Sequence, residues 1–176
     1  MNPKSNIIIF TAFILIVVID IIAVKVIKKE KFSLTNTIFP ICFFTYIFIV
    51  LYVTVFNNIG AYLILERKAP NIIPFNYSID NSQSGRHMFY LAFYNILLFV
   101  PFGLMCPIIL KRNKYIYSTL FAFIFTFLIE FIQYFIGRIS DIDDLICNFI
   151  GGIIGIFGYV ILKQIYTLIK AKKAGY

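Results

Sequence analysis

The chain has 176 residues, 61% of them hydrophobic and 14% charged, with a formal net charge of +8 and a mean hydropathy of +0.90. Soluble domains carry roughly 45–50% apolar residues, so a soluble globular fold is excluded. A basic balance suits nucleic-acid binding, where Lys and Arg neutralise phosphates, but here the charges flank apolar runs; anionic lipid headgroups are the natural partners and no nucleic acid is expected.

About 20 apolar residues cross a bilayer, and five such spans are predicted at 6–24, 38–56, 89–110, 115–136 and 145–162. The first is followed, not preceded, by Lys25, Lys28, Lys29 and Lys31, an order expected of a retained anchor rather than a cleaved leader. Those lysines, Lys111, Arg112, Lys114 and the lysines after 162 make up most of the 16 Lys and Arg. Basic loops stay inside the cell. The predicted fold is therefore all-α, an integral membrane helical bundle of about five transmembrane helices with the N-terminus outside and the C-terminus inside. It divides into an anchor helix and basic loop (1–37), a membrane domain (38–162) and a basic cytoplasmic tail (163–176).

Between the second and third spans, "NNIGAYLILERKAPNIIPF" is semi-apolar and "NYSIDNSQSGRH" polar. Pro70 and Pro74 fix their own φ and push the preceding residues out of the helical region, so Asn71–Ile73 is expected to be irregular and to lie along the membrane surface. The polar stretch reads as a linker. His87 is the only histidine, which rules out a multi-histidine metal site. The third span contains "NILLFVPFGLMCP", where Pro101 and Pro107 deprive the carbonyls of Leu97 and Gly103 of their helical partners. A bent helix with carbonyls turned to a polar interior is expected, since membranes tolerate such breaks where neighbours satisfy them.

The fourth and fifth spans carry the polar residues, in "IEFIQYFIGRISDIDDLICN". At 100° per residue, Glu130, Gln133, Tyr134 and Gly137 share one helical face, and Asp144, Asn148, Gly151 or Gly152, and Gly155 share another. Asn95 and Glu130 each lie about six residues inside the outer end of a span, roughly 9 Å deep, and Asn148 begins the fifth span. An ionisable group at that depth costs on the order of 2.5–3.5 kcal/mol and needs a partner. Arg138 lies about 12 Å along the helix from Glu130, so it is assigned to Asp141, Asp143 or Asp144 at the rim. Glu130 is left to Gln133, Asn95 and Asn148. The candidate polar pocket is thus Asn95, Glu130, Gln133, Arg138, Asp141, Asp144 and Asn148. Gly151 and Gly155 form a small-xxx-small pair, expected to seat the fifth helix against the third or fourth, with dimerisation the lesser reading. Asp141, Asp143 and Asp144 are a weak alternative as oxygen ligands to a divalent cation; otherwise no metal site and no cofactor is expected. Cys42, Cys106 and Cys147 lie too far apart for a ligand set.

The ordered motifs "NIIPF" (71–75), "NILLFVPFG" (95–103), "IEFIQ" (129–133), "GRISDIDD" (137–144) and "NFIGGIIG" (148–155) resemble the VanZ-like membrane proteins, named for an accessory teicoplanin-resistance protein. The resemblance runs over roughly residues 38–160 and maps the family pattern onto Asn71, Pro74 and Phe75; Asn95, Pro101 and Gly103; Glu130 and Gln133; Arg138, Asp141 and Asp144; and Asn148 and Gly152. It implies a multi-pass protein of the bacterial cytoplasmic membrane acting at the cell envelope, with low-level glycopeptide resistance attached to the founding member. The partners it implies are lipids and a lipid-linked cell-wall precursor or a glycopeptide; it supplies no mechanism.

Two functional readings stay open. In the first, an outward-facing polar pocket binds a lipid or envelope precursor. In the second, an enzyme acts on a lipid-linked phosphate, with Glu130 or Asp144 as general acid or base and Arg138 on the phosphate. No nucleophile or histidine accompanies those carboxylates, which favours the first. A proton-coupled transporter fits poorly, because five spans show no inverted repeat.

Overall fold

The structure, a computed structural model, describes residues 22, 37–56, 70–74, 82–110, 112–136 and 141–174. Its elements are all helical: α1 (Phe39–Leu51), continued by a π-helical turn (Tyr52–Phe56), then α2 (Ser82–Ile109), α3 (Lys114–Phe135) and α4 (Ile142–Lys173). Within α2 the stretch Phe89–Ile109, together with α3 and α4, is long and apolar enough to cross a membrane, while Phe39–Val55 is a shorter apolar helix. These four fall where the second to fifth spans are predicted. The first span, 6–24, lies outside the described residues apart from Ile22, which is helical.

Local chemistry accounts for the element ends. Pro40 occupies the first turn of α1, where a missing N–H leaves no bond unmade. α2 starts at Ser82, inside the stretch expected to be a linker, because a nucleated helix propagates over polar residues at one hydrogen bond per residue. It then runs through both Pro101 and Pro107. The turn into α3 uses Asn113 at φ 44°, a left-handed conformation that asparagine tolerates better than most residues, and the Asn113 carbonyl accepts the Tyr117 N–H at 3.1 Å. α4 continues past 162 to Lys173, making most of the predicted tail helical. No Gly or Pro interrupts it after Gly158, and Lys170, Lys172 and Lys173 in its last turn complement the negative end of the helix dipole.

The chain forms two compact units, residues 1–71 with 128–141, and residues 72–127 with 142–176; α3 contributes to both. In the second unit, α2 lies along α4 with backbone against backbone. A Cβ on Gly103 would collide with the Gly152 carbonyl and come within 2.7 Å of the Ile156 nitrogen. One on Gly151 would strike the Ile96 carbonyl, and one on Gly155 the Val100 carbonyl. Gly152 faces α3, where its Cβ would stand 3.0 Å from that of Ala122. Small residues allow this approach, and in lipid the packing itself drives association. Phe99 and Phe102 of α2 fill the space beside the glycines; Phe102 stacks on Phe125 of α3 at 5.5 Å. Phe89, Leu97, Ile116, Leu120 and Phe157 are exposed, as suits side chains bathed in acyl chains. In the first unit Phe48, Val50, Val55 and Ile129 are buried.

Candidate functional site

α3 has one buried face, marked by Ser118, Ala122, Thr126, Ile129, Glu130 and Gln133 at the three- and four-residue spacing of a helix. Glu130 and Gln133 were legible from sequence; Ser118 and Thr126 were not, although both fall on the same stripe. Thr126 explains why a hydroxyl gives so faint a signal. Its Oγ1 donates to the carbonyls of Ala122 at 3.0 Å and Phe123 at 2.9 Å, so it is satisfied within its own helix.

In the first unit the polar groups join the end of α3 to two distant stretches of chain. Glu130 is 5% exposed, and its Oε2 accepts the backbone N–H of Asp141 at 3.2 Å. Asp141 in turn accepts from Asn71, whose Nδ2 lies 3.2 Å from Oδ1, and the two residues form an isolated parallel bridge. Gln133, 2% exposed, donates Nε2 to the Thr54 carbonyl at 2.8 Å. That carbonyl is available because Thr54 lies in the closing turn, where carbonyls lack partners further along the helix. The Gln133 Oε1 is buried with no hydrogen-bond partner among the described residues. Sequence reasoning missed Thr54, since a backbone acceptor leaves no side-chain signature.

In the second unit Asn95 of α2 donates Nδ2 to Asp144 Oδ1 at 2.5 Å. Asn148, one turn further along α4, is 3% exposed, and its Oδ1 is likewise without a hydrogen-bond partner among the described residues. The glycine contacts set this register. Ile96 sits on Gly151 and Val100 on Gly155, so Asn95 comes level with the first turns of α4. Pro101 and Gly103 lie in the same packed stretch; Pro74 is exposed.

The bonds described for Glu130 and Gln133 run to Asp141 and Thr54, within the first unit. Depth fixes a residue's position along the membrane normal, but not the direction in which a helix turns it. One donor to Glu130 is the backbone amide of Asp141, just past the end of its own helix. Arg138 and Phe75 lie outside the described residues, so the pairing of Arg138 with Asp141, Asp143 or Asp144 does too. The three aspartates differ in setting: Asp141 and Asp144 each accept from an asparagine, while Asp143 is buried. Asp143 and Asp144 are adjacent on one helix and leave it about 100° apart. Among the described residues no group of three or more His, Cys, Asp and Glu is placed to hold a metal ion.

A family model described as VanZ/LLP1 matches residues 43–163. The chain belongs to the VanZ/LLP1 family. No curated protein and no solved structure matches it. The VanZ/LLP1 match takes in α1 from Phe43 onward, α2, α3 and α4 as far as Lys163, and with them every polar residue placed above. The first predicted span and the lysine-rich end of α4 fall outside it.

The Asn95–Asp144 bond makes a direct test of register. In a double-mutant cycle of Asn95→Ala and Asp144→Ala, unfolded by detergent titration, a coupling of about 1 kcal/mol is expected, within the range of interhelical polar contacts in membranes. Additive effects would mean that the two side chains do not meet.

Proposed function

We propose that this VanZ/LLP1 protein sits in the bacterial cytoplasmic membrane with its N-terminus outside and its C-terminus inside. Its polar groups hold the headgroup of a lipid or of a lipid-linked envelope precursor, and through that binding it contributes to low-level resistance to teicoplanin. The observation that supports a binding role is that each unit buries one amide, Gln133 in the first and Asn148 in the second, whose oxygen accepts no bond from the described residues. An unsatisfied buried acceptor costs about 1–3 kcal/mol, and a donor-rich headgroup, with hydroxyl or ammonium hydrogens, would offset it. Ile72 and Ile73 are 74% and 59% exposed, in keeping with a segment that rests on the membrane surface.

The test is teicoplanin susceptibility of a Gram-positive host carrying no copy, the wild type, Gln133→Leu or Asn148→Leu, with membrane levels matched by immunoblot. Wild type is expected to raise tolerance several-fold and the two variants, at equal abundance, to lose most of that gain. Equal susceptibility of all strains would remove the resistance role from this chain. A variant that protects as well as wild type would remove its amide from headgroup binding.

A further inference from the structure

The lysine-bearing ends of α3 and α4 form a second polar feature, within the second unit and distinct from the groups above. Lys114 opens α3, and its Nζ donates to the Tyr159 hydroxyl at 2.7 Å. The same ammonium stands 4.7 Å from the Tyr159 ring centre and 5.4 Å from that of Tyr115, within cation–π range of both. Beside them opens a cleft of about 520 Å³ lined by Tyr115, Val160, Lys163, Gln164, Thr167 and Leu168. No carboxylate is among the residues that line it.

We propose that this cleft binds one anionic glycerophospholipid, its phosphate held between Lys114 and Lys163 and an acyl chain laid against Val160 and Leu168. Three observations converge. Lys163 lines the cleft and Lys114 stands over the ring of Tyr115, which lines it too, so two ammonium groups border one opening and an anion can meet both. The cleft offers donors (Lys163 and Gln164) beside apolar walls (Val160, Leu168 and the Tyr115 ring), which matches a molecule with a phosphate at one end and hydrocarbon at the other. Depth agrees as well. Lys163 lies about 30 Å along α4 from Ile142, the thickness of a hydrocarbon core, which puts its ammonium among headgroups. Tyrosine rings favour that same level.

The full chain, purified in detergent, is expected to retain phosphatidylglycerol over phosphatidylcholine in native mass spectrometry. The double variant Lys114→Gln/Lys163→Gln should lose that preference, at roughly fivefold for each lysine removed. Lys172→Gln/Lys173→Gln removes the same charge and should keep it, as should Lys163→Arg; helix content by circular dichroism confirms that each variant is folded. Equal loss in the two double variants would mean diffuse attraction to a basic helix end and would overturn the site. Displacement of the lipid by millimolar inorganic phosphate would overturn it in favour of a free-anion site, and absence of any preference in the wild type would overturn it outright.

Discussion

Replacing Gly103 with alanine is expected to lower stability by about 3 kcal/mol or more, at or beyond the upper end of the usual cost of overpacking. The added methyl would meet the Gly152 carbonyl, the Ile156 nitrogen and the Gly155 Cα, all backbone atoms of one helix, so no side-chain rotation relieves the clash. α2 and α4 must separate along their length, loosening the Asn95–Asp144 bond with them. Gly158→Ala is the matched control, because its methyl would meet the end of the Leu104 side chain at 3.1 Å, which can turn aside. Alanine also favours helix over glycine by about 1 kcal/mol, so Gly158→Ala should be neutral or stabilising. Thermal melting followed by fluorescence-detected size-exclusion chromatography separates the two; similar melting temperatures would show that the close approach of α2 and α4 is not formed.

The second large effect belongs to Glu130. Glu130→Ala removes the acceptor for the Asp141 N–H and leaves a partly buried donor to be satisfied elsewhere, a loss of about 1–3 kcal/mol. The loss is expected to spread, since Asp141 also carries the bond from Asn71. Glu130→Gln keeps an oxygen at the same place and should stay within about 1 kcal/mol of wild type. Hydrogen exchange at the Asp141 amide reports the bond directly, with protection lost in the alanine variant and largely kept in the glutamine one. If both variants lose protection alike, the carboxylate charge rather than its geometry holds the segment.

The helices were legible because apolar length is a strong signal. The predicted span 115–136 and α3, Lys114–Phe135, nearly coincide, since charged or strongly polar residues bracket that run on both sides. The ends of α2 and α4 were less legible. Polar residues from Ser82 and the lysines near 170 look like loop by hydropathy, yet they contain little that stops a helix already formed. For the polar residues, sequence identified which side chains are buried against lipid's preference, Glu130, Gln133 and Asn148 among them, but not whom they meet. Asn71 and Asp141 are far apart in the chain and joined by one amide, Gln133 meets a main-chain oxygen, and Asn95 meets Asp144 because of where glycines let two helices touch. The pairings depend on helix rotation or, for Asn71 and Asp141, on the path of irregular chain, and the spacing within a single helix encodes neither.

The contact between α2 and α4 also bears on how the protein is made. α3 separates the two helices in the chain, so α2 leaves the translocon before the surface that receives it exists. Until α4 follows, Asn95 has no Asp144, and the carbonyls freed by Pro101 and Pro107 face whatever lies alongside. Polar groups stranded in lipid cost free energy, so α2 has reason to linger at the insertion machinery, or with a chaperone there, instead of partitioning alone. A chain halted after α3 is accordingly expected to remain crosslinkable to the translocon and to be degraded quickly, while one extended through Gly155 is released. Seating of α2 is thus expected to wait for α4.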